Sequence, residues 1–291
     1  MNSFTRTGIA ATVVVVLLSG CGGNSSKDGD AKDPAESKPD FAQTHEQWHA
    51  LLDANTAIGT AQGEVNAASK TFRASSPKGD IEAGLADEIE SLESAIDQQE
   101  EAFETLADSD EVNTPELKQA WNAFAAKQRE YDDFAHPLFV DLPILQQALG
   151  NCANLFGEMK KVEIVNNPLG FPKERLKTYT SNAPACTDPL GELTDSENSM
   201  LKDYATGFLA NHQKRVQLLK DHVAGKVNLN QSSARYKALA TADAKLGNKI
   251  DPQGRLNALF PRAEMGAFDT SVHETAGVNH ESGSPSPSPS S

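Results

Sequence analysis

Apolar residues recur along this chain at intervals of three and four. Leu51, Ala54, Ile58, Ala61, Val65, Ala68 and Phe72 mark one such stripe and predict a helix from about Asp40 to Phe72. Pro77-Lys78-Gly79 reads as a turn, after which Ile81, Leu85, Ile89, Leu92, Ile96, Gln99, Phe103 and Leu106 continue the rhythm. Thr114-Pro115-Glu116 has the composition of a helix start, with Thr to cap amides and Pro where no amide is needed. That third helix carries Leu117, Trp121, Phe124, Gln128, Tyr131 and Ala135, and His136-Pro137 is expected to break it. Asp141 then caps a fourth, with Leu145, Leu149, Cys152, Phe156 and Met159. The stretch 166–189, with four prolines, is expected to be irregular. A fifth helix spans about Thr194 to Ala224 through Leu201, Ala205, Phe208, His212, Val216, Leu219 and Val223. A sixth spans about Gln231 to Lys249 with Tyr236, Leu239 and Leu246. No segment alternates with period two for long enough to suggest a sheet. The pattern predicts an all-α bundle of about five to six amphipathic helices, several of them long.

The two ends do not share this pattern. Residues 1–20 hold one charge, Arg6, ahead of an apolar run from Gly8 to Leu18 that is too short to span a bilayer. The run closes on Leu18-Ser19-Gly20-Cys21, and with it the segment resembles the signal peptide of bacterial lipoproteins. The resemblance implies cleavage before Cys21 and a diacylglyceryl group on its thiol, so that Cys21 is the lipidated first residue of the mature protein. Residues 21–39 are rich in Gly, Ser, Asp and Lys, bury too little to offset ordering entropy, and are expected to be a disordered tether. From about Gly266 the helical pattern fades, and residues 266–291, ending SGSPSPSPSS, are expected to be a disordered Ser/Pro-rich tail. The folded region is thereby placed at 40–265.

Charge narrows the partners. The chain carries a formal −15, which disfavours binding nucleic acid or an anionic membrane through charge. Acidic residues number 13 between Gly79 and Glu111 with no basic one, whereas Lys202 to Lys249 holds nine basic against three acidic residues. Partial neutralisation of one by the other within the molecule is the expectation, with a docking face for a cationic partner as the alternative. With Cys21 lipidated, Cys152 and Cys186 are the one intramolecular pair, and outside the cytoplasm they are expected to form a disulfide. The loop it closes is worth about 3–4 kcal/mol in the chain-entropy model.

One stretch carries candidate chemistry. His45-Glu46-Gln47-Trp48-His49 matches H-E-x-x-H, in which two imidazoles a helical turn apart hold zinc and the glutamate takes a proton from metal-bound water. A catalytic zinc needs a third protein ligand. The extended glycine and histidine positions are filled by Leu52 and Asn55, and Glu64 stands about 22 Å along the helix from His49. In the frame set by Leu51, Ala54 and Ile58, His45, Glu46 and His49 take outward positions. His212 falls on the inner stripe as a core histidine with a partner, His222 stands nearly three turns away, and His273 and His280 fall in the expected tail. No serine nucleophile motif, Walker loop or dinucleotide-binding glycine motif occurs.

These readings give no catalytic residue and no cofactor, and point to a non-enzymatic binding or scaffolding protein of the bacterial cell envelope. It is expected on the extracytoplasmic face of the cell membrane, anchored through Cys21 and contacting an envelope protein or polymer. The alternatives are a zinc-dependent metallopeptidase using His45, His49 and Glu46, and a solute-binding lipoprotein serving a transporter.

Overall fold

A computed structural model describes residues 41–76, 79–161 and 173–277. The expected signal peptide, Cys21, the tether and residues 278–291 lie outside them. Every regular element among the described residues is helical: α1 Phe41–Ser75, α2 Ile81–Gly84, α3 Ala86–Ala107, α4 Lys118–Lys161, α5 Lys173–Asn182, α6 Pro184–Glu192, α7 Ser199–Val223, α8 Leu229–Gly247, α9 Pro252–Leu259 and α10 Arg262–Ala276, with a 3-10 turn at Asp110–Asn113. The all-α expectation holds. No helix among the described residues is long and apolar enough to cross a membrane.

Four expectations about the elements are corrected. His136-Pro137 does not end a helix, because α4 runs through both Pro137 and Pro143. An interior proline costs about 3 kcal/mol by removing an amide donor and crowding the preceding turn. Burial of Ala135, Leu138, Phe139, Leu142, Ile144 and Leu145 around the two prolines offsets it. Asn198 Nδ2 also donates to the carbonyl of Phe134 (2.8 Å), beside the carbonyl of Asp133 that Pro137 deprives of its donor. Asp141 is accordingly no cap. It sits inside α4 and accepts from the Ser196 hydroxyl, with burial pushing its carboxyl above the usual range.

The second correction is small. Gly84 and Leu85 divide the expected second helix into α2 and α3, where Leu85 leaves helical geometry and is buried. The Phe72 ring lies against Gly84 where any larger residue would place its Cβ. The third concerns stretch 166–189, in which α5 and most of α6 form. Pro184 opens α6, where its missing amide costs nothing. Pro189 leaves the carbonyl of Ala185 without its helical donor, and Asn151 Nδ2 supplies one at 2.9 Å. The last concerns the tail, since α10 continues through Gly266 to Ala276, and Gly277 at φ 69° ends it in the left-handed region. An exposed helical glycine costs about 1 kcal/mol, which burial of Phe268 and Val272 outweighs.

Other starts and stops follow their local chemistry. The Thr114 carbonyl accepts from the Lys118 amide, but its hydroxyl donates back to the Glu111 carbonyl instead of capping. Asn198 caps α7, and Asn228 with Gln231 forms a reciprocal capping box on α8.

The described residues gather into two compact units. The first comprises 60–94 and 132–258. Leu138, Leu142 and Leu145 of α4, Leu190 of α6, and Leu201, Ala205 and Phe208 of α7 are central to its core. The expected disulfide between Cys152 and Cys186 is present and ties α4 to α6. The second comprises 41–59, 95–131 and 259–277. Its core is aromatic, with Trp48, Phe103, Trp121, Phe124 and Phe268 among Leu51, Leu106, Val112, Leu117 and Val272. Trp48 meets Phe124 and Phe268 edge to face, with centroids 5.2 and 5.0 Å apart.

Candidate metal centre

The second unit brings the H-E-x-x-H motif together with a residue expected in the tail. His45 and His49 lie one turn apart on α1, and His273 comes from the last turn of α10. One ligating atom from each lies within 4.8 Å of the others, and all three side chains are half-buried. His45 Nε2 and His49 Nε2 are 3.2 Å apart. Two imidazole nitrogens bound to one tetrahedral zinc at about 2.0–2.1 Å stand about 3.3–3.4 Å apart. The α1 pair, hydrogen-bonded through these nitrogens, thus has a spacing compatible with two ligands to one ion. The third imidazole stands farther off and would have to move in to share an ion with the pair.

The outward assignment of His45 and His49 is corrected here. Their face of α1 is covered by α10, with the His273 ring centroid 4.7 Å from that of His45 and 5.7 Å from that of His49. Trp48, between the two histidines in sequence, is fully buried and indicates the true inner face at this end of α1. A third imidazole, absent from the local sequence pattern, is thus brought beside the pair from far along the chain. Glu46 remains exposed.

The surroundings favour a neutral imidazole at His45. Burial lowers the His45 pKa below its usual value, and His49 and His273 lower it further, while Asp269 and Glu46 oppose the shift. A neutral ring presents the lone pair that a metal requires. His273 Nδ1 lies 2.8 Å from the Asp269 carbonyl. A carbonyl only accepts, so Nδ1 carries the proton and Nε2 the lone pair. The Asp269 carboxylate accepts from Trp48 Nε1 at 2.7 Å and stands 3.6 Å from His273 Nδ1. Three imidazole ligands suit zinc, copper or nickel and not calcium or magnesium, which take oxygen ligands.

A second polar cluster, in the first unit, escaped the sequence reading. Arg215 on α7 is fully buried and pairs with Asp243 of α8, which also accepts from Asn211 Nδ2 at 2.9 Å. The Tyr236 ring lies under the guanidinium at 5.6 Å. Tyr179 and His212 Nδ1 share a hydrogen bond at 3.2 Å, so His212 is the partnered core histidine that was expected. Burial raises the Tyr179 and Tyr204 hydroxyls to about 12. The signal for Arg215 was present: continuing the three-and-four count through Phe208 and His212 lands on Arg215, not on Val216. This cluster joins α7 to α8.

No protein-family model, no curated protein and no solved structure matches the chain.

Proposed function

We propose that the protein is a lipid-anchored binding protein on the extracytoplasmic face of the bacterial cell membrane, and that its folded region binds a transition-metal ion of the zinc and copper class. The observation that carries the metal reading is the convergence of His45, His49 and His273 from the two ends of the folded chain. The anchor is supported by the order of charge, apolar run and Leu18-Ser19-Gly20-Cys21 in the sequence. The Gly-, Ser- and Asp-rich composition after Cys21 supports a tether through which the helical region would reach a metal source, an envelope protein or a polymer.

The test of the metal reading uses the full chain, purified in detergent and stripped with a chelator. Zinc titration should give one tightly held ion per chain, and a His45→Ala/His49→Ala variant should hold none. Equal uptake by the two proteins overturns the reading. For the anchor, Cys21→Ala should release the protein from membranes, and undiminished membrane retention would count against it.

A second reading is a zinc-dependent peptidase with Glu46 as the base. The third imidazole favours it, since three protein ligands leave one position for water. The exposure of Glu46 favours binding without catalysis, because an effective base works where water is excluded. Peptide cleavage that needs zinc and is lost in Glu46→Gln would establish the peptidase. Absence of cleavage by the zinc-loaded protein, with zinc binding intact, would establish the binding protein.

A further inference from the structure

The three-imidazole centre is assembled from helices that share no turn or loop, so something must fix α10 against α1 closely enough for His273 to reach the pair on α1. The side chain placed to do so is Trp48. It lies three residues after His45 and one before His49, is fully buried, and touches two successive residues of α10. Its ring meets Phe268 edge to face at 5.0 Å, and its Nε1–H donates to the Asp269 carboxylate at 2.7 Å. A flat apolar contact alone tolerates sliding and rotation, whereas a directional hydrogen bond beside it does not. A slip of one residue along α10 would turn the helix by about 100° and shift it by about 1.5 Å, carrying His273 away from the site.

The same carboxylate has a second relation to the centre. Asp269 and His273 are one turn apart on α10, next to the turn formed by Phe268 and Val272. One stripe enters the aromatic core and the neighbouring stripe faces the histidines of α1. Through its carbonyl, Asp269 sets the His273 tautomer, and through its carboxylate it stands 3.6 Å from Nδ1. A negative charge behind the ring strengthens its donor character toward a cation. Trp48 in turn holds that carboxylate in place, giving a chain from α1 through Trp48 and Asp269 to His273.

We infer that Trp48 and Asp269 are the positioning residues of this centre, fixing His273 as the third ligand of a divalent zinc-class ion. The inference rests on the metal-binding reading above and goes further, since a two-histidine surface site would need neither residue. Asp269 supplies negative charge and a fixed tautomer without touching the ion, and Trp48 supplies register.

Zinc affinity of the full chain, measured by competition with a chromophoric chelator, tests it through Trp48→Phe and Asp269→Asn. Phe keeps an aromatic ring against Phe268 but loses the donor and the volume of the pyrrole half of the indole. Asn retains an acceptor for Trp48 and loses only the charge, so it keeps the docking of α10 if Phe does not. Each substitution should weaken zinc about 10–100-fold, the usual effect of removing an outer-shell partner. In a His273→Ala background neither should weaken the residual affinity of the His45–His49 pair by more than about twofold, because their action passes through His273. Cobalt(II) gives a spectroscopic readout, since its visible absorption should lose intensity in both variants as the low-coordinate site opens. Wild-type affinity in both variants overturns the inference while leaving the metal reading standing. Equal weakening with and without His273 also overturns it, by placing their effect on α1 itself. Failure of the unmodified protein to bind zinc overturns the metal reading and this inference together.

Discussion

Replacement of Phe268 by Ala tests the link between the core of the second unit and its candidate site. Phe268 is fully buried, with ring centroids 5.0 Å from Trp48, 5.3 Å from Trp121 and 5.8 Å from Phe124. Truncating such a phenylalanine costs about 3–5 kcal/mol. The fully buried side chains of α10 are Phe268 and Val272, and burial contributes about 1.5–3 kcal/mol for each. The loss is therefore comparable with the whole docking contribution of α10, and local release of that helix is expected ahead of unfolding elsewhere. Amide hydrogen exchange over 262–276 is the assay, and a cost of about 3–5 kcal/mol corresponds to at least a hundredfold faster exchange there. Zinc at 100 times its dissociation constant should return about 2.7 kcal/mol, slowing the variant's exchange about a hundredfold. Adding His273→Ala should abolish that recovery. Exchange in α10 as slow as in the parent would refute the packing argument, and zinc protection that survives loss of His273 would refute the linkage.

Other substitutions probe the first unit. Asp243→Asn leaves the buried Arg215 guanidinium without its carboxylate and should cost about 3–5 kcal/mol in urea denaturation, whereas joint replacement by Arg215→Met and Asp243→Leu should stay close to the parent. Replacing Cys152 and Cys186 together by Ala should lower stability by about 3–4 kcal/mol in guanidinium, and a loss below about 1 kcal/mol would show that the bridge constrains little. Burial, and then Arg215, hold the His212 pKa below the ordinary value of 6.5. The unfolded chain therefore binds this proton more readily, so the contribution of His212 to stability is present above about pH 6.5 and declines as pH falls below it. His212→Gln should flatten that part of a stability–pH profile, and an unchanged slope would count against the assignment.

The helices were legible where a stripe of large apolar residues is long, as from Leu51 to Phe72 and from Leu201 to Val223. They were misread where a local rule was overruled by packing. Pro137 has the chemistry of a helix stop, but burial of Ala135 before it and of Leu138, Phe139 and Leu142 after it, together with Asn198, keeps α4 continuous. Pro189 is accommodated by an amide from Asn151, a partner that no local pattern reveals. For α10, Met265, Phe268 and Val272 signal an inner face, and Gly266, Thr270 and Ser271 among them resemble a tail. The candidate site was half legible for the same reason. The spacing of His45 and His49 shows in five residues, whereas His273 joins them only because Phe268 and Val272 bring α10 to α1. Trp48 and Leu52 already imply a second packed face at this end of α1 in the sequence, and the burial of Trp48 bears that out.

The most direct test of the account is zinc stoichiometry and affinity in the full chain and in three single variants, His45→Ala, His49→Ala and His273→Ala. The account predicts one ion per chain in the parent and a large loss of affinity in each variant, with His273→Ala as damaging as either change on α1. A parent protein that retains no zinc, or a His273→Ala variant that binds it as the parent does, would contradict the centre described here.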